Sequence, residues 1–523
     1  MAMNLTNPQY EKSISRGSST SAESVGYPME DRVLHASSSL LMMSETPEER
    51  RTRHKSLFYG LNIRLVFAVV TAAFGSAFQH GYNIGVVNAP GTILEEWIYS
   101  IKGNQSAEEI SREYVALIWS TTVSIFCIGG MIGGTLVGPI ADQIGRKNGL
   151  IYNNIIAAIG ALFQGFAKQI GSCEVFIFGR FIIGLNAGIN AGLAPVYLTE
   201  ISPVALRGAV GTVYQFVITI SILLSQILGL QSMLGTEDRW PYLFLFLLVP
   251  ALIQTITLPF CPESPKQMLK VTRNEIKAKQ ALIWLRGSLD VHAEFEEMKG
   301  ELESERNQPT VSLSQLLINR RLRTPLLISS CLMLAQQFSG INIITYYSTM
   351  LFLRAGLTEN TAQYATLGVS CVNVLMTLIS LILVEKSGRK TLLLIGFGGM
   401  FVSTILLSRC LAYVEMVFLA YLSIAAVVLF VAFFSIGPGA IPWFITTELF
   451  AHNARPTATS VAVCINWMAN FMVGISFLPL TMLWRHNALM VFAFLQALSL
   501  LFIHYLVPET KNKTIEEIST LFR

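Results

Sequence analysis

Charge is the scarcest thing in this chain. Asp, Glu, Lys and Arg together make up 13% of its 523 residues, against roughly a quarter in soluble domains, so most of its length does not meet water. The formal net charge is only +4 and no long basic stripe runs through the chain, which argues against nucleic acid as a partner. Seven cysteines lie mostly inside apolar runs, as Cys127, Cys331, Cys371 and Cys464 do, without metal-ligand spacing. They read as small core residues, neither a disulfide framework nor a metal site. No secretory leader opens the chain. No metal cluster, nucleophile elbow or phosphate loop interrupts the apolar stretches, so neither an enzyme nor a bound cofactor is expected.

What is there is hydrocarbon: 52% of residues are hydrophobic and the mean hydropathy is +0.52. A helix needs about 20 apolar residues to cross a bilayer. Twelve stretches qualify, near 62–86, 117–140, 149–168, 175–199, 209–232 and 241–261, then 324–350, 364–385, 391–412, 417–446, 457–481 and 487–507. Residues 1–57 are polar, rich in Ser, and end in the charged run ETPEERRTRHK. Such a segment buries too little apolar surface to fold and reads as a disordered cytoplasmic tail. The long polar interruption, 262–323, alternates charge at helical spacing in RNEIKAKQALIWLRG and VHAEFEEMKGELESE, the pattern of short surface helices.

Lys and Arg in short loops favour the cytoplasm. Arg146, Lys147, Arg207, Lys386, Arg389, Lys390, Arg455, Lys511 and Lys513 all fall on one side, whereas the opposite loops carry fewer, such as Lys102, Arg112 and Arg485. An even number of spans then places both termini inside. The sequon Asn104-Gln-Ser106 falls in the first outer loop, where glycosylation is expected; Asn4-Leu-Thr6 and Asn512-Lys-Thr514 face the cytoplasm and are discounted.

The chain also repeats itself. Gly145-Arg146-Lys147 recurs as Gly388-Arg389-Lys390 (145 to 388, a spacing of 243). Glu200 and Arg207 in YLTEISPVALRG match Glu448 and Arg455 in FITTELFAHNARP, both 248 apart, and Pro262-Glu263-Ser264 matches Pro508-Glu509-Thr510 at 246. Anchors in the same order at nearly one spacing mark two six-helix halves duplicated in tandem. Positive-inside anchoring alone accounts for the cations and needs no acidic partner. A carboxylate at the depth of Glu200 or Glu448 costs about 2–3 kcal/mol unless paired. These two glutamates, with Arg146, Arg207, Arg389 and Arg455, are therefore expected to form ion pairs that tie the halves together at the inner face when the inner mouth is shut. Tandem halves rocking about a midplane site make an alternating-access transporter.

The ordered set GRFIIG (179–184), PVYLTEISPVALRGAVGT (195–212), PESPK (262–266), QQFSGINIITYYS (336–348), GPGAIPWFITTELF (437–450), NWMAN (466–470) and VPETK (507–511) resembles the sugar-porter branch of the major facilitator superfamily, and more narrowly its animal facilitative glucose transporters. The resemblance covers residues from about 62 to 515. It implies an all-α membrane protein of the plasma membrane, with twelve transmembrane helices in two six-helix pseudo-symmetric bundles. The expected segments are a tail (1–57), a first bundle (58–261), a cytoplasmic helical linker (262–323), a second bundle (324–507) and a C-terminal tail (508–523). The implied cargo is a hexose, D-glucose first and fructose second.

A sugar buried among hydrocarbon needs hydroxyl partners, and neutral amides offer both donor and acceptor. Gln336, Gln337 and Asn342 place three amides within two helical turns, and Gln215, Asn373, Asn466 and Asn470 add others at depth. An isolated amide more often glues helices together. The cluster reads as substrate contact, and the resemblance implies sugar contacts at Gln215, Gln336, Gln337, Asn342, Asn373, Trp443 and Asn470. Trp443 follows Gly437-Pro438-Gly439 and Pro442, which break or bend span ten. Two departures bear on selectivity: Ser435 stands where glucose carriers of the family carry an acid, and Met333-Leu334-Ala335 replaces the Gln-Leu-Ser of glucose-selective members.

Proton-coupled relatives carry an aspartate in a Gly-Tyr-Asp setting in span one, where this chain has Asn83 in HGYN. An amide does not titrate, which favours passive uniport. A proton-coupled symporter remains the first alternative, with His80 the nearby titratable group. Arg180 reads as a packing residue. The second alternative, a transporter-like sensor, is disfavoured by only about sixteen residues after span twelve.

Overall fold

The computed structural model describes residues 61–105, 110–307, 311–413, 416–450, 453–511 and 517. The expected tail at 1–57 and most of that at 508–523 lie outside them. In chain order the first half forms α1 (Ile63–Gly85), α2 (Gly91–Gln105), α3 (Arg112–Gln143), α4 (Arg146–Ile170), α5 (Cys173–Ile201), α6 (Arg207–Leu228), α7 (Trp240–Leu245) and α8 (Leu248–Thr257). The linker holds α9 (Glu275–Arg286), α10 (His292–Asn307) and α11 (Leu313–Ile318), the short helices its charge alternation predicts. The second half forms α12 (Arg320–Phe338), α13 (Ile341–Arg354), α14 (Glu359–Lys386), α15 (Arg389–Ala412), α16 (Val417–Ile436), α17 (Ile441–Glu448), α18 (Arg455–Trp484) and α19 (Ala488–Leu506).

Among the described residues, eleven helical runs are long and apolar enough to cross a membrane. The last, Arg455–Leu506, has 52 residues, about 78 Å of helix at 1.5 Å per residue and more than twice a hydrocarbon thickness of about 30 Å. A 3-10 turn at Arg485–Asn487, where Arg485 takes φ 50°, divides it into α18 and α19. The described residues therefore form twelve spans.

Side chains set several helix starts: Asn62, Ser111, Ser172 and Thr358 each accept from first-turn N–H groups that the helix cannot satisfy itself. Two spans break midway. Gly340, with φ 91°, separates α12 from α13, and Gly437 to Ala440 separates α16 from α17.

Packing within the first bundle depends on close backbone approach. Gly184 and Gly188 of α5 face the backbone of Phe126 and Gly130 on α3, leaving no room for a Cβ. Small residues at a four-residue interval are how helices associate where no hydrophobic drive separates them from lipid. The bundles meet along two seams. On one, Ser124, Gly130 and Gly134 of α3 face Gly474, Trp467 and Val463 of α18. On the other, Ser370 of α14 donates to Gln226 of α6 at 2.5 Å.

The two membrane faces differ. Opposite the Arg146 and Arg389 loops, Asn88 bridges the bundles: Nδ2 donates to the Thr345 carbonyl (2.9 Å) and Ser348 Oγ (2.7 Å), and Oδ1 accepts from Thr349 N (3.2 Å). Gln231 adds bonds to Glu359 and Gln363 across the same face. On the basic face, no hydrogen bond or ion pair joins the spans of one bundle to those of the other among the described residues. Hydrogen bonds thus close the space between the bundles at one mouth, and none does so at the other among the described residues.

Candidate functional site

The repeated Gly-Arg-Lys knot is a carboxylate cage. Glu263 accepts from the backbone N of Arg146 (3.1 Å) and of Lys147 (2.9 Å), where the first N–H groups of α4 and its dipole favour an anion. Gly145 has φ 98°, and a Cβ there would sit 2.5 Å from the Glu263 carboxylate, so both conformation and space demand glycine. The second half repeats the device: Glu509 accepts from Arg389 N (2.8 Å) and Lys390 N (3.1 Å).

The cation between them repeats as well. Arg146 donates to the Ala141 carbonyl (2.9 Å) and pairs with Glu200 (3.0 Å), while Ser264 donates to the other Glu200 oxygen. Arg389 donates to the Val384 carbonyl (3.0 Å) and pairs with Glu448 (3.1 Å), which also accepts from Thr510. Both pairs close within one bundle. In this conformation, with no bond between the bundles on this face, each pair stays within its own half: the start of α4 and the end of α5 adjoin because those helices pack together, and their copies do likewise. Arg455 reaches only the Phe450 carbonyl (3.3 Å), and neither Arg207 nor Arg455 makes an ion pair among the described residues.

At mid-depth the second bundle holds a continuous amide chain. Gln336 Nε2 donates to the Pro438 (2.7 Å) and Gly439 (2.9 Å) carbonyls, which the break between α16 and α17 leaves unpaired by helix. Asn466 donates to Gln336 Oε1 (2.8 Å), Gln337 donates to Asn466 Oδ1 (2.9 Å), and Asn342 donates to Gln337 Oε1. Asn470 Oδ1 accepts from Tyr346 (3.3 Å) and Asn373 Oδ1 from Ser435 (3.1 Å). Trp443 is 40% exposed at the first turn of α17, and Gln215 is exposed on α6.

By each group's bonding capacity, both amide hydrogens of Asn373 and Asn470, one each of Gln337 and Asn342, and the whole Gln215 amide make no hydrogen bond among the described residues. Gln336 is saturated as a donor; it fixes the hinge before Trp443. Met333 is fully buried, and its carbonyl accepts from Asn466 Nδ2 (3.4 Å).

Amide content alone does not mark a site. In the first bundle Gln79, Asn153, Asn154, Asn186 and Asn190 are buried and bond to one another or to Thr255, the helix glue that the sequence reading weighed for single amides and did not single out here. Asn88 was also missed: its partners lie more than 250 residues away, and no local pattern announces them. Arg180 is fully buried, donates to the Asn83 carbonyl (3.1 Å) and sits 4.8 Å over the Phe126 ring, in the packing position expected of it.

Two duplicated bundles around a polar space, shut at one membrane face, define a membrane transport protein. The chain belongs to the sugar (and other) transporter family, whose pattern it matches over residues 68–522. It is 45% identical over 459 residues to facilitated glucose transporter protein 1 of Caenorhabditis elegans, covering 87% of this chain and 89% of that one. It is 43% identical over 469 residues to the chicken (Gallus gallus) solute carrier family 2, facilitated glucose transporter member 1, covering 88% and 94%. The fold is similar to that of the xylose transporter XylE from E. coli in an inward-open conformation, with a TM-score of 0.73 at 24% identity over 88% of this chain and all of that one.

Proposed function

We propose that this protein carries hexose, D-glucose first, passively across the plasma membrane by alternating access of its two bundles (58–261 and 324–507), with both termini and the 262–323 linker in the cytoplasm. The observation that supports the reading is that amide groups of Gln215, Gln337, Asn342, Asn373 and Asn470 carry hydrogens without a partner among the described residues, while Trp443 is partly exposed. The indole face suits the apolar face of a pyranose, and the amides suit its hydroxyls at about 1 kcal/mol net each. Both relatives named above are facilitated glucose transporters by name. Passive movement is favoured because Asn83 stands at the coupling position and its carbonyl holds Arg180, leaving no acid there to take up a proton.

Basic loops place the mouth without inter-bundle bonds inside, and we read the conformation as inward-facing. The Glu200 and Glu448 pairs act as rigid braces that let each bundle move as a body. Asn104, in the outer segment, is the glycosylation site; its side chain lies outside the described residues. Uptake of labelled D-glucose into proteoliposomes tests the reading. Equal uptake with and without a pH gradient, never rising above the external concentration, is expected. Accumulation that appears only with the gradient establishes the symporter instead.

A further inference from the structure

We infer that His80 donates a hydrogen bond to the transported sugar, held in its donating tautomer by Tyr214. This rests on hexose being the cargo, as proposed above. His80 lies on α1, and its half-buried ring meets elements of both bundles. Nδ1 is 3.4 Å from the Tyr214 hydroxyl on α6, and the ring centroid is 5.9 Å from that of Trp467 on α18, tilted by 31°. The ring therefore sits on the seam. Gln215 follows Tyr214 directly on α6, and Asn470 lies one turn beyond Trp467 on α18, so both helices that the ring meets also carry an amide assigned to the sugar.

The tautomer follows from Tyr214. That side chain is only 8% exposed, and Nδ1 is the hydroxyl's one polar partner among the described residues. A buried hydroxyl proton without an acceptor is costly, whereas its oxygen tolerates having no donor. Tyr214 therefore donates and Nδ1 accepts, which leaves the proton of the neutral ring on Nε2. Nε2–H has no protein acceptor among the described residues. The other side chains assigned to the sugar come from the second bundle, with Gln215 as the exception. A second polar contact from the first bundle lets the cargo bond to both bodies that must move together around it.

Fluorine accepts a hydrogen bond and cannot donate one, so deoxyfluoro and deoxy sugars isolate a protein donor. Inhibition constants against glucose uptake are measured for D-glucose and for its deoxy and deoxyfluoro analogues at each hydroxyl position. In the native protein the position that His80 contacts is expected, like those facing the amide N–H groups, to tolerate fluorine nearly as well as hydroxyl and to lose about fivefold on removal, the equivalent of one net hydrogen bond. His80→Phe collapses the fluoro–deoxy difference at that position alone. His80→Gln, which keeps an N–H, retains it, and Tyr214→Phe reduces it by freeing the ring's tautomer. The inference is overturned if the native protein shows no such position, or if His80→Phe weakens every analogue equally, as loss of packing would. Failure of His80→Phe to fold leaves the native series and His80→Gln to decide. Absence of any uptake of D-glucose or D-fructose by the native protein sinks the hexose reading and this inference together; glucose uptake without the analogue signature sinks this inference alone.

Discussion

Asn88 is the side chain on which the closed mouth depends most. It makes three hydrogen bonds to α13, at 2.9, 2.7 and 3.2 Å, and all three cross between the bundles. The backbone groups it meets belong to a helix, so separating the bundles leaves them internally satisfied. Each bond is worth about 1 kcal/mol net, so Asn88→Ala lowers the stability of the closed mouth by about 3 kcal/mol. That raises the open-to-closed ratio on the order of 100-fold. Ser348→Ala removes one bond and raises the ratio about fivefold. Spin labels at Ser232 and Thr358, exposed sites on opposite sides of that mouth, report the shift as a longer distance in purified protein. An unchanged distance distribution in Asn88→Ala, with native thermal stability, refutes the assignment of this cluster as the outer latch.

Four further outcomes follow from the same geometry. Gln336→Ala removes the anchor of the span-ten hinge and Trp443→Ala the aromatic platform, so each cuts hexose uptake severely at unchanged surface expression; normal uptake in both defeats the site. Arg146 and Glu200 are 8% and 13% exposed against 19% and 28% for Arg389 and Glu448. Stranding the more buried cation costs more, about 3 kcal/mol, so Glu200→Ala lowers the melting temperature further than Glu448→Ala. Glu95 of α2 lines a small pocket at the closed mouth with Asn88 and Thr349; burial pushes its carboxyl up to about 7, with Arg354 and Arg112 opposing and Glu96 adding to the shift. This closed mouth thus holds that proton more tightly than water-exposed glutamate, near 4.3, does. Closure is unopposed below about 4.5, increasingly opposed up to 7 and constantly so above it. The spin-label distance therefore shortens as external pH falls from 8 to 5.5, and Glu95→Gln abolishes the response.

Much of this architecture is legible in the residues because membrane helices obey two coarse constraints, length and charge placement. All twelve spans follow from them, and the tandem repeat follows from the Gly-Arg-Lys and Pro-Glu motifs. The repeat does not choose the partners of Glu200 and Glu448: duplication copies contacts made inside each half, as seen in this conformation, and the same spacing is equally compatible with a bond between halves. The role of Gly145 is unreadable until Glu263, more than a hundred residues later, is seen filling its Cβ position. The amide cluster at 336–342 is visible locally, but its neighbour Asn466 joins it only through the packing of α12 against α18. Asn88 carries no signal at all, since a single amide beyond the end of α1 is ordinary in any loop.

The account stands on the closed mouth having to open in every transport cycle, which a reversible lock tests directly. With Asn88→Cys and Ser348→Cys introduced together, oxidation bridges α13 to the loop after α1. Hexose uptake into proteoliposomes is then predicted to stop and to return on reduction, with each single cysteine variant unaffected by oxidant. Uptake that continues at the native rate through fully cross-linked protein contradicts alternating access between these two bundles.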